Sequence, residues 1–177
     1  MNRAGGITAG VLALIVGGYQ AWAAYRLMDV ASTYSDGLDF LVRGDTHYTT
    51  AFHDFVVWLH TEAALSGAAA IALLIGAVLL LVRKAAGWRL IVLGCVVVVA
   101  HTGVGWVVAT KMLRWFIEIG AYDYGLLWFN TPSKLAIVVL SFVAPVVAVV
   151  LALHPATRQW CRAGSARPMP SALRRSA

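Results

Sequence analysis

Residues 63–82 read AALSGAAAIALLIGAVLLLV, twenty consecutive positions without a charged side chain. At ~1.5 Å per residue, a helix of this length just crosses the hydrocarbon core of a bilayer. The chain contains three more apolar stretches of similar length, so that four spans are predicted, at about 7–25, 60–82, 90–110 and 132–153. The sequence therefore predicts an all-α fold, an integral membrane four-helix bundle formed by residues 1–155.

The composition excludes an ordinary soluble domain, because 60% of the residues are hydrophobic and only 12% are charged. Two longer connections, at 26–59 and 111–131, join the predicted spans on one side. In the first connection apolar residues recur at helical spacing, namely Leu27, Val30, Ala31, Tyr34, Leu38 and Leu41. This pattern predicts a separate extracytoplasmic amphipathic helix between spans 1 and 2, with Gly37 as a candidate break.

The charges divide between the two sides of the predicted bundle. One side carries nine basic residues and no acidic ones, at Arg3, Arg83, Lys84, Arg89, Arg158, Arg162, Arg167, Arg174 and Arg175. The positive-inside rule therefore predicts that both termini are cytoplasmic. Arg outnumbers Lys eleven to three, which is typical of GC-rich bacterial genomes, so we expect the inner membrane of a bacterium. The net charge of +6 then reflects topology and contact with anionic lipid, and predicts no nucleic-acid partner. Residues 156–177 are rich in Arg, Pro and Ser, which predicts a disordered basic tail.

The first apolar stretch has two interpretations. Arg3, an apolar core and an Ala21-Trp22-Ala23 site are compatible with a cleaved signal peptide. We favour a retained span, because Ala13, Gly17 and Ala21 lie four apart and form a packing face. A similar face is predicted for the second span, where the small residues recur at Ala64, Ala68, Ala72 and Gly76.

His101 is the most unusual residue of the spans, since an ionisable group at such depth is costly unless it faces protein or a cavity. A structural histidine, a proton relay with Ser66 and Glu62, and a haem ligand all remain open. Counting the helical rise from Val82 and from Leu90 brings Glu62 level with Lys111. The predicted partner of Glu62 is therefore Lys111, in an ion pair between neighbouring helices.

Histidine and carboxylate residues before the second span leave a metal site open. His53 and His60 share a helix face, and Asp54 is adjacent. Neither histidine has a partner four residues away, and no cysteine joins them, so the typical spacing of a helical zinc site is missing. Cys95 and Cys161 do not indicate a disulfide framework. We expect no cofactor, with haem or a divalent metal at His101, His60 and His53 as the alternative.

The second connection contains aromatic residues, of which Trp115, Tyr122, Tyr124 and Trp128 form a candidate interaction surface. An aromatic belt at the membrane interface explains them equally well. No catalytic motif is present in the sequence. The functional expectation is a small multi-pass protein that acts through contacts with another membrane protein or a second copy, as an accessory, assembly or exclusion protein. The alternative is a haem- or metal-binding protein of electron or proton transfer.

Overall fold

The computed structural model describes residues 4–41, 46–118 and 139–165, and all of them except short turns are helical. Three long helices come first, α1 (Ala4–Leu41), α2 (Thr46–Leu81) and α3 (Ala85–Glu118). A π-helical turn (Val139–Val143) leads into α4 (Ala144–Leu153), and α5 (Pro155–Ser165) follows. The all-helical prediction is thereby confirmed, and residues outside the three ranges are not described.

Three of the helices contain segments that are long and apolar enough to cross a membrane: Gly5–Thr33, His53–Leu81 and Ala85–Val108. A fourth candidate is a bent pair, Leu140–Leu153 with Pro155–Cys161, whose two parts meet at 60°. The described residues thus contain three candidate spans, or four if the bent pair is one span. Insertion into a membrane remains a prediction.

The predicted separate helix after span 1 is wrong, because residues 27–41 continue α1 without a break at Gly37. The apolar positions of this segment follow the same helical period as the preceding span, and no proline interrupts them. A glycine within a helix costs only about 1 kcal/mol and does not by itself end it. The second span is extended in the same way, since α2 begins at Thr46.

The predicted disorder of residues 156–177 is wrong for the part that the structure describes. α5 is helical, and its Thr157, Trp160 and Cys161 are buried at positions i, i+3 and i+4. The composition conceals this short apolar stripe among arginines. His154 ends α4 with an extended ψ of 137°, the conformation that a following proline favours. The predicted end of the fourth span at residue 153 stays a prediction, because Leu140–Leu153 and Pro155–Cys161 together qualify as one bent candidate span.

α1 packs against α2 and α4, and α3 packs against the same two helices. The start of α1, the turn at residues 82–84 and α5 lie at the same end of the helices, which we call the turn end. We call the opposite end the far end. At the turn, Arg83 adopts a left-handed φ of 61°. The Arg83 N–H donates to the Leu80 carbonyl, and the Lys84 N–H donates to the Leu79 carbonyl. These two hydrogen bonds form a Schellman motif.

The register of α2 against α3 follows from three points of close approach. A Cβ at Gly87 would clash with the backbone of Leu80, and one at Gly94 would lie 2.8 Å from Leu73 Cγ. Near the far end, a Cβ at Gly105 would lie 2.9 Å from Glu62 Oε1. The two helices are therefore antiparallel and in contact from the turn to Gly105.

The packing face of small residues that the sequence predicts on α2 is wrong at its first two positions, because these do not pack inside the protein. Ala64 and Ala68 are exposed, Ala72 is half-buried, and only Gly76 is buried. The buried face instead combines leucines and alanines at 59, 63, 69, 70, 73, 77 and 80. Spacing alone identified a helix face of small residues and could not show which face packs inward.

Candidate functional site

A buried pair of ionisable side chains links α2 to α3. The Glu62 Oε2 and His101 Nδ1 atoms are 2.7 Å apart, and both residues are less than one-tenth exposed. A separation this short is typical of a hydrogen bond in which one group is charged. When Nδ1 of His101 carries a proton, the imidazole N–H donates to the Glu62 carboxylate.

The register of the two helices brings the pair together. Glu62 lies 19 residues before Leu81 and His101 lies 16 residues after Ala85, which corresponds to ~28 Å and ~24 Å above the turn. The side chains therefore meet close to the middle of both helices. Beneath them toward the turn end lies a fully buried apolar core that includes Leu73, Leu80, Ile91, Cys95 and Val98.

The predicted Glu62–Lys111 ion pair is wrong. Lys111 is exposed, and the residue that contacts the Glu62 carboxylate is His101. Gly105 already lies opposite Glu62, and Lys111 is six residues farther along α3, or ~9 Å. The sequence estimate began the third helix at Leu90, whereas α3 begins at Ala85.

Gly105 makes room for the carboxylate. A Cβ at this position would lie 2.9 Å from Glu62 Oε1 and 3.7 Å from Cζ2 of Trp58, which precedes Glu62 by one helical turn. The absence of a side chain lets the α3 backbone approach the carboxylate closely. Trp58, Glu62 and Gly105 therefore meet at one place beside His101.

Two buried polar atoms near this place have no hydrogen-bond partner among the described residues: Nε2 of His101 and Nε1 of Trp58. The indole nitrogen is a donor. His101 Nε2 is an acceptor when Nδ1 carries the proton and a donor when the ring is protonated at both nitrogens. Unpaired buried polar atoms are uncommon in folded proteins and mark places where a proton, a water or a ligand binds.

Three other polar side chains of the described helices are also buried. Ser66 is buried one turn from Glu62, Gln20 is buried on α1, and Ser141 is buried in the π-helical turn. Ser66 was predicted as a site residue from the sequence, whereas Gln20 and Ser141 were not. Gln20 was detectable, because an amide within an otherwise apolar span is costly unless it faces protein.

The other predicted site residues are not joined to the pair. His53 and Asp54 are exposed, with 3.8 Å between their nearest charged atoms. His60 is exposed, and its Nδ1–H donates to the Val56 carbonyl at 2.9 Å. Among the described residues no three His, Cys, Asp or Glu side chains come close enough to hold a metal ion. Haem or metal binding at His53, His60 and His101 stays a prediction.

The candidate aromatic surface lies largely outside the described residues. This applies to Tyr122, Tyr124 and Trp128, while Trp115 is described only as backbone within α3. Comparison with protein-family models, with curated proteins and with solved structures finds no match.

Proposed function

We propose that this chain is a multi-pass membrane protein that binds and releases a proton at the Glu62–His101 pair. The single observation that carries the proposal is the 2.7 Å contact between two ionisable side chains buried in apolar helices, with His101 Nε2 left without a partner. Ionisable groups at membrane depth are retained at a cost, and a paired carboxylate and imidazole are typical of proton relays.

The chemistry needs no cofactor. In one state the imidazole is neutral and its Nδ1–H donates to the carboxylate. In the other, a further proton enters at Nε2, and an imidazolium faces the carboxylate, which stabilises its charge. The two states differ by one unit of charge in a medium of low dielectric constant, so each favours a different arrangement of the surrounding polar groups.

The proton exchanges with the far end. On the turn-end side, fully buried apolar residues separate the pair from solvent over most of the ~24 Å below it. On the other side, exposed Asp54 lies only eight residues, or ~12 Å, beyond Glu62. With the predicted orientation, the far end is the outer side of the membrane, so the pair responds to the outer pH.

Infrared spectroscopy of the protein in lipid tests the proposal. We expect carboxyl and imidazole bands that change with pH in the wild type. Glu62→Gln should remove the carboxyl part of that change and His101→Asn should remove the imidazole part. Asp54→Asn is the matched control, an exposed carboxylate beside a histidine on the same helix. Buried-residue bands that stay constant across the pH range in which the protein is folded would refute proton exchange.

A second candidate function is association with another copy of the chain, favoured by the exposure of Ala64 and Ala68. Small residues four apart on an outward face allow a second helix to approach closely. A cysteine at Ala68 should then cross-link two chains in the membrane. A cysteine at Val78, which is exposed on the same face nearer the turn end, should not. Equal cross-linking of the two variants would argue against this interface.

A further inference from the structure

Two arginines from different helices flank one indole ring at the turn end. The guanidinium carbon of Arg89, on α3, lies 5.6 Å from the centroid of the Trp88 ring, and that of Arg158, on α5, lies 5.2 Å from it. Their charges cannot be farther apart than the sum of these distances, about the Debye length of ~10 Å at 0.1 M ionic strength. Both arginine side chains are exposed, so an anion can reach them.

Among the residues that the structure describes, no carboxylate forms an ion pair with these arginines. The sequence contains no Asp or Glu in residues 1–28, 63–117 and 124–177. The carboxylates nearest along α2 and α1 are Glu62 and Asp29, both far from the turn end. A third arginine, Arg83, stacks on Trp160 with 4.0 Å between its guanidinium carbon and the ring centroid. Within the described part of the chain, the turn end therefore holds several cations that have no carboxylate counterion.

The location of Trp88, Arg89 and Arg158 indicates which kind of anion binds to the two arginines. Trp88 and Arg89 lie within the first turn and a half of α3, where the segment that could cross a membrane begins. α5 turns away from α4 by 60° at this end and brings Arg158 to the same ring. Tryptophan and arginine at the end of a span are typical of headgroup depth.

We propose that Arg89, Arg158 and Trp88 form a binding site for the phosphate of an anionic phospholipid. The two guanidinium groups donate to the phosphate oxygens, and the indole packs against the glycerol and the first methylenes of the lipid. This inference rests on the membrane insertion proposed above, and is independent of the Glu62–His101 pair.

Native mass spectrometry of the full chain in nonionic detergent tests the site. Phosphatidylglycerol and phosphatidylcholine with identical acyl chains are the two probes. We expect preferential retention of phosphatidylglycerol. Retention of phosphatidylglycerol should fall about fivefold in Arg89→Gln and about fivefold in Arg158→Gln. It should fall further in the double variant. The single variants keep the test valid if the double variant does not fold.

The matched control is Arg26→Gln, since Arg26 is an exposed arginine of the same protein but is paired with Asp29 at 3.6 Å. Its removal should leave lipid retention unchanged. Unchanged phosphatidylglycerol retention in the Arg89 and Arg158 variants, or an equal loss in the Arg26 variant, would overturn the site. Displacement of the lipid by millimolar inorganic phosphate would overturn the lipid assignment. Retention of neither lipid would instead count against membrane insertion itself.

Discussion

Gly105→Ala is the most informative single change at the Glu62–His101 pair. The new methyl carbon would lie 2.9 Å from Glu62 Oε1, whereas ordinary van der Waals contact begins at 3.4 Å. The carboxylate must therefore retreat by about 0.5 Å from α3, although its other oxygen is held 2.7 Å from His101 Nδ1. A retreat of that size lengthens the hydrogen bond beyond the ~2.7–2.9 Å of charge-assisted bonds.

The cost follows from two opposing effects. Overpacking of this kind destabilises by about 1–3 kcal/mol. Alanine in place of glycine within a helix stabilises by about 0.5–1 kcal/mol. We expect a net loss of roughly 1 kcal/mol in the free energy of unfolding.

Gly103→Ala is the matched control, because a Cβ at Gly103 meets nothing within 4 Å. The helix-propensity gain is the same at both sites, so the difference between the two variants isolates the contact with Glu62. We expect a difference of about 1–3 kcal/mol, measured by reversible denaturant unfolding in detergent. The infrared bands of the pair should shift in Gly105→Ala alone. Equal stability and identical spectra of the two variants would refute the role assigned to Gly105.

Three further outcomes are expected from unfolding measurements in the same detergent. Glu62→Gln and His101→Asn should be non-additive, with a coupling of about 1.5–3 kcal/mol, because each single change leaves a buried group without its charged partner; additive losses would contradict the pair. Lys111→Met should change stability by less than ~0.5 kcal/mol, since Lys111 is exposed; a larger loss would restore the Glu62–Lys111 pairing. Leu73→Ala should cost about 2–5 kcal/mol because Leu73 is fully buried, whereas Ala68→Leu on the exposed face should cost far less; the opposite order would contradict the assigned packing face.

The sequence predicted the helices well because their signal is local. Long uncharged stretches depend only on neighbouring residues, and the structure has a long helix at each of the first three predicted spans. The packing faces were less predictable. Ala64 and Ala68 have the spacing of a packing face, but that face is exposed, since inward orientation is fixed by contacts with distant helices.

The prediction of the site depended on where each helix was assumed to begin. His101 and Glu62 were both identified as unusual from the sequence, yet they were assigned to different heights along their helices. Starting the third helix at Leu90 instead of Ala85 displaced His101 by five residues, or ~7.5 Å, relative to Glu62. Apolar content alone cannot correct this error, because Ala85, Ala86 and Gly87 are small residues that add little hydropathy. Gly87 nevertheless fixes the register, since its missing side chain lets α3 approach Leu80 directly after the turn. From that contact onward the helical rise brings Gly105 level with Glu62 and places His101 one turn nearer the turn end, within reach of the Glu62 side chain. The same rise carries Lys111 past Glu62.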